Sequence, residues 1–295
     1  MAFKDPKAVT ETGTEKGVEK ARLPWDRALV AGFLAGAYIA FGGLLAITVS
    51  AGLKPDFWGG LTTFFTGAVF SLGLILVVLA GSELLTGNMA LVPLAAFRGR
   101  ATIGELMHNF GWVLVGNLIG SIFVAYFFAD QTGLVAGEPG VLERLTKIAT
   151  KKGVEETEWQ IFIRAVGCNW LVCLAVWMAF AAEDVAGKIL AIFFPIMAFV
   201  ALGFDHVVAN MFFFPAAIFA GVDGITWWTA IHNWIFALLG NLVGAAVFVA
   251  GAYWYLYGRA GPAEPEPGDE PAEAGVSGRY ATDGGRAPAG PRVPR

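Results

Sequence analysis

Residues 81–93 read GSELLTGNMALVP, and residues 203–215 read GFDHVVANMFFFP. Laid one above the other, Gly81 meets Gly203 and Glu83 meets Asp205. Asn88, Met89 and Pro93 meet Asn210, Met211 and Pro215, all at an offset of 122. A second pair, HNFGWVLVGNLIG from His108 and HNWIFALLGNLVG from His232, recurs at an offset of 124. The chain is internally duplicated. Each member of the first pair also interrupts an apolar run too long for one straight crossing. Residues 57–97 carry Glu83 as their one charge, and residues 189–222 are interrupted by Asp205 and His206. A bilayer core takes about 20 helical residues, so both runs have to break. Bare peptide groups at such a break are tolerated only where protein shields them or where they line a cavity.

The rest of the chain follows from these two breaks. Of its 295 residues 56% are hydrophobic and 15% charged, with a mean hydropathy of +0.62, so lipid is the solvent. The net charge of −4 averages over polar tails and short loops and gives no argument for a nucleic-acid partner. The other apolar runs cover 28–53, 106–129, 165–182 and 224–258; counting each broken run once gives six spans. Three spans per copy is an odd number, so the second copy enters from the opposite face and the repeats are inverted.

The expected fold is therefore an all-α membrane protein of six transmembrane helices, arranged as two inverted three-helix repeats with the second and fifth helices broken. The boundaries are a cytoplasmic N-terminal segment 1–27 without a cleavable signal, a first repeat 28–129, an outer loop 130–158, a second repeat 159–258 and a disordered cytoplasmic tail 259–295. Of the 20 Lys and Arg, only Lys54, Arg144, Lys147, Lys151 and Lys152 fall outside; Arg164 lies within a span and the rest are cytoplasmic. Basic residues favour the cytoplasmic side, so both termini are expected there.

The broken symmetry picks out the chemistry. Glu83 with Asp205 and Asn88 with Asn210 occur in both copies, whereas Leu84 faces His206 and Thr86 faces Val208 in the alignment. One imidazole and one hydroxyl thus enter the same small region from opposite halves. A titratable group at membrane depth is costly and marks function by default. His206 and Thr86 are the leading pore residues, with Thr86 also suited to cap a half-helix starting near Gly87. Asn88 and Asn210 border the pore and tie the loops down. Glu83 and Asp205 are expected to accept hydrogen bonds from backbone amides freed at the breaks.

His108 and His232 read as interfacial or structural, Cys168 and Cys173 as buried packing residues, and Asn117, Asn169, Asn233 and Asn241 as helix bridges. Closely spaced glycines such as Gly32, Gly36, Gly116, Gly120, Gly240 and Gly244 read as helix contacts. Trp25, Trp58, Trp159, Trp227, Trp228 and Trp254 fit an interfacial belt. No metal-ligand spacing and no nucleotide loop appears, so no cofactor is expected.

GSELLTGN, GFDHVVANM and RAVGCNWLVCLAVWM from Arg164 together resemble the formate/nitrite transporter family, over about residues 25–258. The resemblance implies an aquaporin-like protomer, a homopentamer in a bacterial inner membrane, and small monovalent anions such as formate or nitrite as substrates. It puts the family's pore histidine on His206 and its loop threonine on Thr86. Hydrophobic constrictions fall on Phe70, Leu74, Leu84, Val172, Phe199 and Ala209, with Leu85 in place of a frequent aromatic. An outer lysine that attracts anions falls on Lys152, with Lys151 one residue away as its rival.

Two other readings stay open on the residues alone. One is an aquaporin-type pore for water or neutral solutes, although the paired Asn-Pro-Ala signature is absent. The other is a membrane-embedded enzyme using His206 and Asp205, although no nucleophile or metal accompanies them. Under the anion-pore reading, His206 donates a hydrogen bond or a proton to a dehydrated anion, and flux changes across mildly acidic pH.

Overall fold

The computed structural model describes residues 3–259, so the tail expected from residue 259 lies outside the described residues beyond Arg259. In chain order the helices are α1 (Pro6–Ala21), α2 (Trp25–Ser50), α3 (Pro55–Trp58), α4 (Leu61–Phe70), α5 (Leu72–Ala80), α6 (Leu85–Phe97), α7 (Ile103–Val124), α8 (Pro139–Thr150), α9 (Glu158–Ala181), α10 (Val185–Ala201), α11 (Val207–Phe219) and α12 (Trp227–Ala245). Helix α7 continues into a π-helical turn at Ala125–Asp130, and α12 runs on through π-helical turns to Gly258. Among the described residues the only β pairing is an isolated bridge between Phe3 and Ala182.

Five stretches are long and apolar enough to cross a membrane: Trp25–Ser50, Leu61–Ala80, Ile103–Asp130, Glu158–Ala181 and Trp227–Gly258. Their outward residues, among them Phe64, Phe127, Ile163 and Leu239, are exposed. Helices α6 and α11 differ in kind. Each has 13 residues, and every residue from Leu85 to Ala95 and from Val207 to Ala217 is buried. A helix apolar all round and enclosed on every side belongs to a core, so these two half-helices form the centre of the protein.

Both half-helices follow a break built the same way. Helix α5 stops at Gly81 with φ 79°, and α10 is followed by Gly203 with φ 72°, a left-handed conformation that glycine adopts without a Cβ clash. The chain then runs extended into the N-caps, Leu84 and His206. Asparagines from neighbouring long helices satisfy the freed backbone. Asn117 Oδ1 accepts from Leu85 N at 2.9 Å while its Nδ2 donates to Gly32 O at 2.8 Å and Glu83 O at 2.9 Å. Asn241 Oδ1 accepts from Val207 N at 2.9 Å while its Nδ2 donates to Ala165 O at 2.8 Å and Asp205 O at 2.9 Å. Each side chain uses its acceptor and both amide hydrogens.

For those asparagines to reach, helix pairs α2/α7 and α9/α12 must approach closely. A Cβ on Gly36 would lie 2.1 Å from Asn117 O and one on Gly120 2.0 Å from Phe33 O. On the other side, a Cβ on Gly240 would lie 2.3 Å from Phe162 O and one on Gly244 2.3 Å from Val166 O. Small residues at such crossings let backbones touch in lipid, where no hydrophobic force draws helices together.

Two glycines of α7 test this. Gly111 is exposed, and a Cβ added there would meet nothing within 4 Å, whereas Gly120 faces the α2 backbone. Gly111→Ala is expected to leave the melting temperature of the detergent-purified protein unchanged or slightly raised, by at most about 1 kcal/mol of helix propensity. Gly120→Ala should lower stability by roughly 1–3 kcal/mol through overpacking. Equal melting temperatures for the two variants would show that this crossing is not tight.

Candidate functional site

At the centre the two half-helices meet head to head. Thr86, in the first turn of α6, and His206, the N-cap of α11, are 0% and 2% exposed, and Thr86 Oγ1 lies 2.8 Å from His206 Nε2. His206 Nδ1 accepts from Ala209 N at 3.1 Å. An acceptor at Nδ1 puts the proton of the neutral ring on Nε2. His206 therefore donates to Thr86 Oγ1, and the hydroxyl hydrogen of Thr86 stays free to donate elsewhere. The Thr86 carbonyl is held by Asn169 Nδ2 at 3.1 Å and Cys173 Sγ at 3.4 Å.

Helix α6 begins at Leu85 with Leu84 as N-cap, so Thr86 is one position inside the helix and does not cap. The expected capping role is corrected: the cap is supplied by Asn117, and the Thr86 hydroxyl is released for His206.

A void of about 10 Å³, near the lower limit for one water, adjoins His206 and is otherwise walled by Ile39, Phe70, Leu74, Leu84, Val172, Ile196 and Phe199. Phe70 and Phe199 meet edge to face at 5.7 Å between centroids, and Phe199 stacks on His206 at 5.9 Å. Five of the six residues expected at constrictions, Phe70, Leu74, Leu84, Val172 and Phe199, line this void. Ala209 does not; it lies on the wall of the wider cavity on the side of α8, together with Asn210. Asn88 borders the cavity on the side of α1.

The carboxylates overturn one expectation. Glu83 Oε1 accepts from Lys20 Nζ at 2.7 Å and Oε2 from Asn88 Nδ2 at 2.8 Å. Asp205 Oδ1 accepts from Lys152 Nζ at 2.8 Å and from Asn210 Nδ2 at 2.9 Å. Freed amides are not among these partners, because Asn117 and Asn241 have taken them. The pattern extends one shell further. Asn88 Nδ2 also donates to Asn109 Oδ1 at 2.9 Å, and Asn109 Nδ2 to Lys20 O at 2.8 Å. Asn210 Nδ2 donates to Asn233 Oδ1 at 2.8 Å, and Asn233 Nδ2 to Lys152 O at 3.0 Å.

Sequence reading missed Lys20, Asn109, Arg144, Glu156 and Arg164. The signal for Asn109 was present in the repeated His-Asn pair, whose asparagine reaches the site while its histidine does not. His232 instead meets Glu158 at 3.0 Å on the surface. Lys20 sits on α1 and lines the cavity that Glu83 and Asn88 border, in a segment expected only as a polar tail. Lys151 lines the same cavity as Lys152, but Lys152 alone bonds Asp205, and it also donates to Phe204 O at 3.1 Å.

Beside Asp205 lies a second buried acid. Glu156 Oε1 pairs with the Arg164 guanidinium, which also reaches Gly203 O at 3.4 Å. Glu156 Oε2 and Asp205 Oδ2 are both buried without any hydrogen-bond partner. Burial first, and then the negative Asp205, push the Glu156 carboxyl up to about 7.

Comparison with known proteins places this geometry in context. The family described as Formate/nitrite transporter matches residues 7–255. A Bacillus subtilis (strain 168) protein named "Uncharacterized transporter YrhG" is 52% identical over 87% of this chain and 95% of its own. A "Formate channel BtFdhC" from Bacillus thuringiensis is 44% identical over 87% of this chain and 97% of its own. A solved "Pentameric formate channel with formate bound" is similar with a TM-score of 0.71 and 30% identity, over 80% of this chain and 98% of its own.

The acid pair generates a pH prediction. An acid whose folded value lies above its ordinary 4.5 contributes stability that is full below 4.5 and is lost as pH rises through about 7. Melting temperature in detergent should therefore fall between pH 5 and pH 8 more steeply in the wild type than in Glu156→Gln, which keeps a donor toward Asp205 at every pH. Parallel pH curves for the two proteins would show that Glu156 does not carry this pH dependence.

Proposed function

Because the chain belongs to the formate/nitrite transporter family, we propose that it passes small monovalent weak-acid anions, formate and nitrite among them, through a pore of its own protomer. The observation that carries the reading is the Thr86–His206 hydrogen bond at the edge of an apolar narrowing. An anion entering a passage walled by Phe70, Leu74, Leu84, Val172 and Phe199 loses its water, and an unpaired charge there costs far more than a paired or neutralised one. The free hydrogen of Thr86, polarised by His206 Nε2–H on its oxygen, meets that need with one charge-assisted donor. The N-termini of α6 and α11 add positive potential at the same point.

The frame for this pore is six crossings in two inverted repeats, 28–129 and 159–258, with 1–27 and the tail from 259 on the cytoplasmic side and 130–158 outside. The matched hydrogen bonds of Asn117 with Asn241, and of Lys20–Glu83 with Lys152–Asp205, support the pairing of the halves. Lys152 draws anions toward the outer opening. A homopentamer in a bacterial inner membrane is proposed on the pentameric assembly of the similar formate channel.

Purified protein in liposomes tests the function: uptake of labelled formate and nitrite down a gradient is expected, against empty liposomes as blank. Swelling driven by water without formate uptake would replace the anion pore with a water pore. Within the pore, Thr86→Val should cut formate flux at least tenfold, the loss of one hydrogen bond to a charged group, while Thr86→Ser keeps most of it. His206→Asn keeps a donor for Thr86 but removes the ionisable ring, so flux should persist in part and lose its pH dependence. Wild-type flux in Thr86→Val, or an unchanged pH profile in His206→Asn, would remove these residues from the mechanism.

A further inference from the structure

The two openings onto the central narrowing differ in charge. The inner cavity is lined by Lys16, Glu19, Lys20 and Glu83, with each base against an acid: Lys16–Glu19 and Lys20–Glu83, both at 2.7 Å. The outer cavity, of about 250 Å³, reaches down to Phe70, Phe199 and His206, and carries Arg144, Lys147, Lys151 and Lys152 on its wall with no Asp or Glu among its lining residues. Lys147 is paired with Glu143 and Lys152 with Asp205. The third nearby acid, Glu156, is taken by Arg164. Among the described residues neither Arg144 nor Lys151 forms an ion pair with an acid, and of the two only Arg144 is held by side-chain hydrogen bonds.

Arg144 is nevertheless held firmly. Its Nε donates to Ser50 Oγ at 3.0 Å, at the end of α2, and one Nη to Thr66 Oγ1 at 3.3 Å, on α4. Both hydroxyls spend their own hydrogens on backbone carbonyls, Ser50 on Ala46 O at 2.7 Å and Thr66 on Thr62 O at 2.6 Å, so they can only accept from the guanidinium. Three elements, α2, α4 and α8, thus fix the plane of one guanidinium in a cavity wall. Its other Nη makes no hydrogen bond to the described residues. The single influence on this group is burial, which pulls its pKa down with no acid to offset it. A partly buried cation fixed by neutral hydroxyls, with donors left over, lacks an anion.

We propose that Arg144 is an outer-vestibule recognition site for planar anions with two oxygens, reading them through the guanidinium fork before they reach Thr86 and His206. The inference rests on the anion-pore reading and deepens it. A carboxylate or nitrite accepts two straight, parallel N–H bonds from a guanidinium, whereas a single-atom anion such as chloride takes only two converging, bent ones, and an ammonium offers charge without the fork. Arg144 therefore gives shape selectivity where Lys151, also without an acid, gives only attraction.

The test compares wild type, Arg144→Lys and Arg144→Gln in proteoliposomes at constant low ionic strength, reading the concentration dependence of formate entry from the outer face. Both variants should raise KM for formate roughly tenfold, the value of about one lost charge-assisted bond, with maximal flux little changed. Arg144→Lys matching wild type while Arg144→Gln is weakened would mean charge without a fork and overturns the proposal, as would wild-type KM in both. A wild type that carries no formate fails the pore reading instead, and the two failures are thereby told apart. A second measurement needs no variant. Phenylglyoxal labelling of Arg144 in the native protein, read by peptide mass spectrometry, should be slowed by formate or nitrite and not by chloride at equal concentration. Equal protection by chloride would overturn the fork.

Discussion

A chain that breaks inside an apolar interior exposes amides and carbonyls where no water can take them, and two asparagines meet that constraint here. Asn117 and Asn241 each close one amide and two carbonyls around a break, which is the full capacity of an asparagine side chain. Everything at the centre depends on them. They fix where α6 and α11 begin, and those starting points bring Thr86 and His206 from opposite halves to 2.8 Å. The glycine crossings of α2 with α7 and α9 with α12 serve the same end, since an asparagine has a short reach and the helices carrying it must lie almost backbone to backbone.

Charge is handled around each break by a second, matched device. Glu83 and Asp205 are each neutralised by a lysine that arrives from outside the long helices, Lys20 from α1 and Lys152 from the turn after α8. Because these acids are compensated, they need not repel an anion from the openings they border. The halves then diverge in what surrounds the matched pair. The cavity beside α1 stays balanced, while the one beside α8 gains Arg144 and Lys151 on its wall and the Glu156–Arg164 pair nearby. Two matched breaks thus sit in unequal fields, the more positive one beside α8.

The all-helical membrane fold and its two breaks were legible from residue order for physical reasons that act locally. An apolar run of about twice a membrane's thickness has to break, and a repeated run that breaks twice identifies its own centre. The divergence of Leu84 from His206, and of Thr86 from Val208, named the two central residues, and the structure brings them into contact. The residues expected at constrictions came through resemblance; five of them line the small void beside His206, and Ala209 lines the cavity beside α8, which Phe70 and Phe199 also line.

What stayed hidden were partners. Glu83 and Asp205 looked suited to freed amides because both lie next to a break, yet the amides go to asparagines some 30 residues further on and the acids go to lysines 63 and 53 residues before them. Arg144 gave no signal at all, since a charged residue in a loop reads as solvated until the hydroxyls of Ser50 and Thr66 are seen to hold it. Sequence by itself determined that the chain lives in lipid, that it is duplicated, where it breaks and which two residues differ between the breaks, because periodicity, length and hydropathy are properties of neighbours along the chain. Only the tertiary structure decided which donor meets which acceptor and which cation is left without an acid, because hydrogen bonds and ion pairs depend on distances of about 3 Å between groups whose separation along the chain sets no such distance.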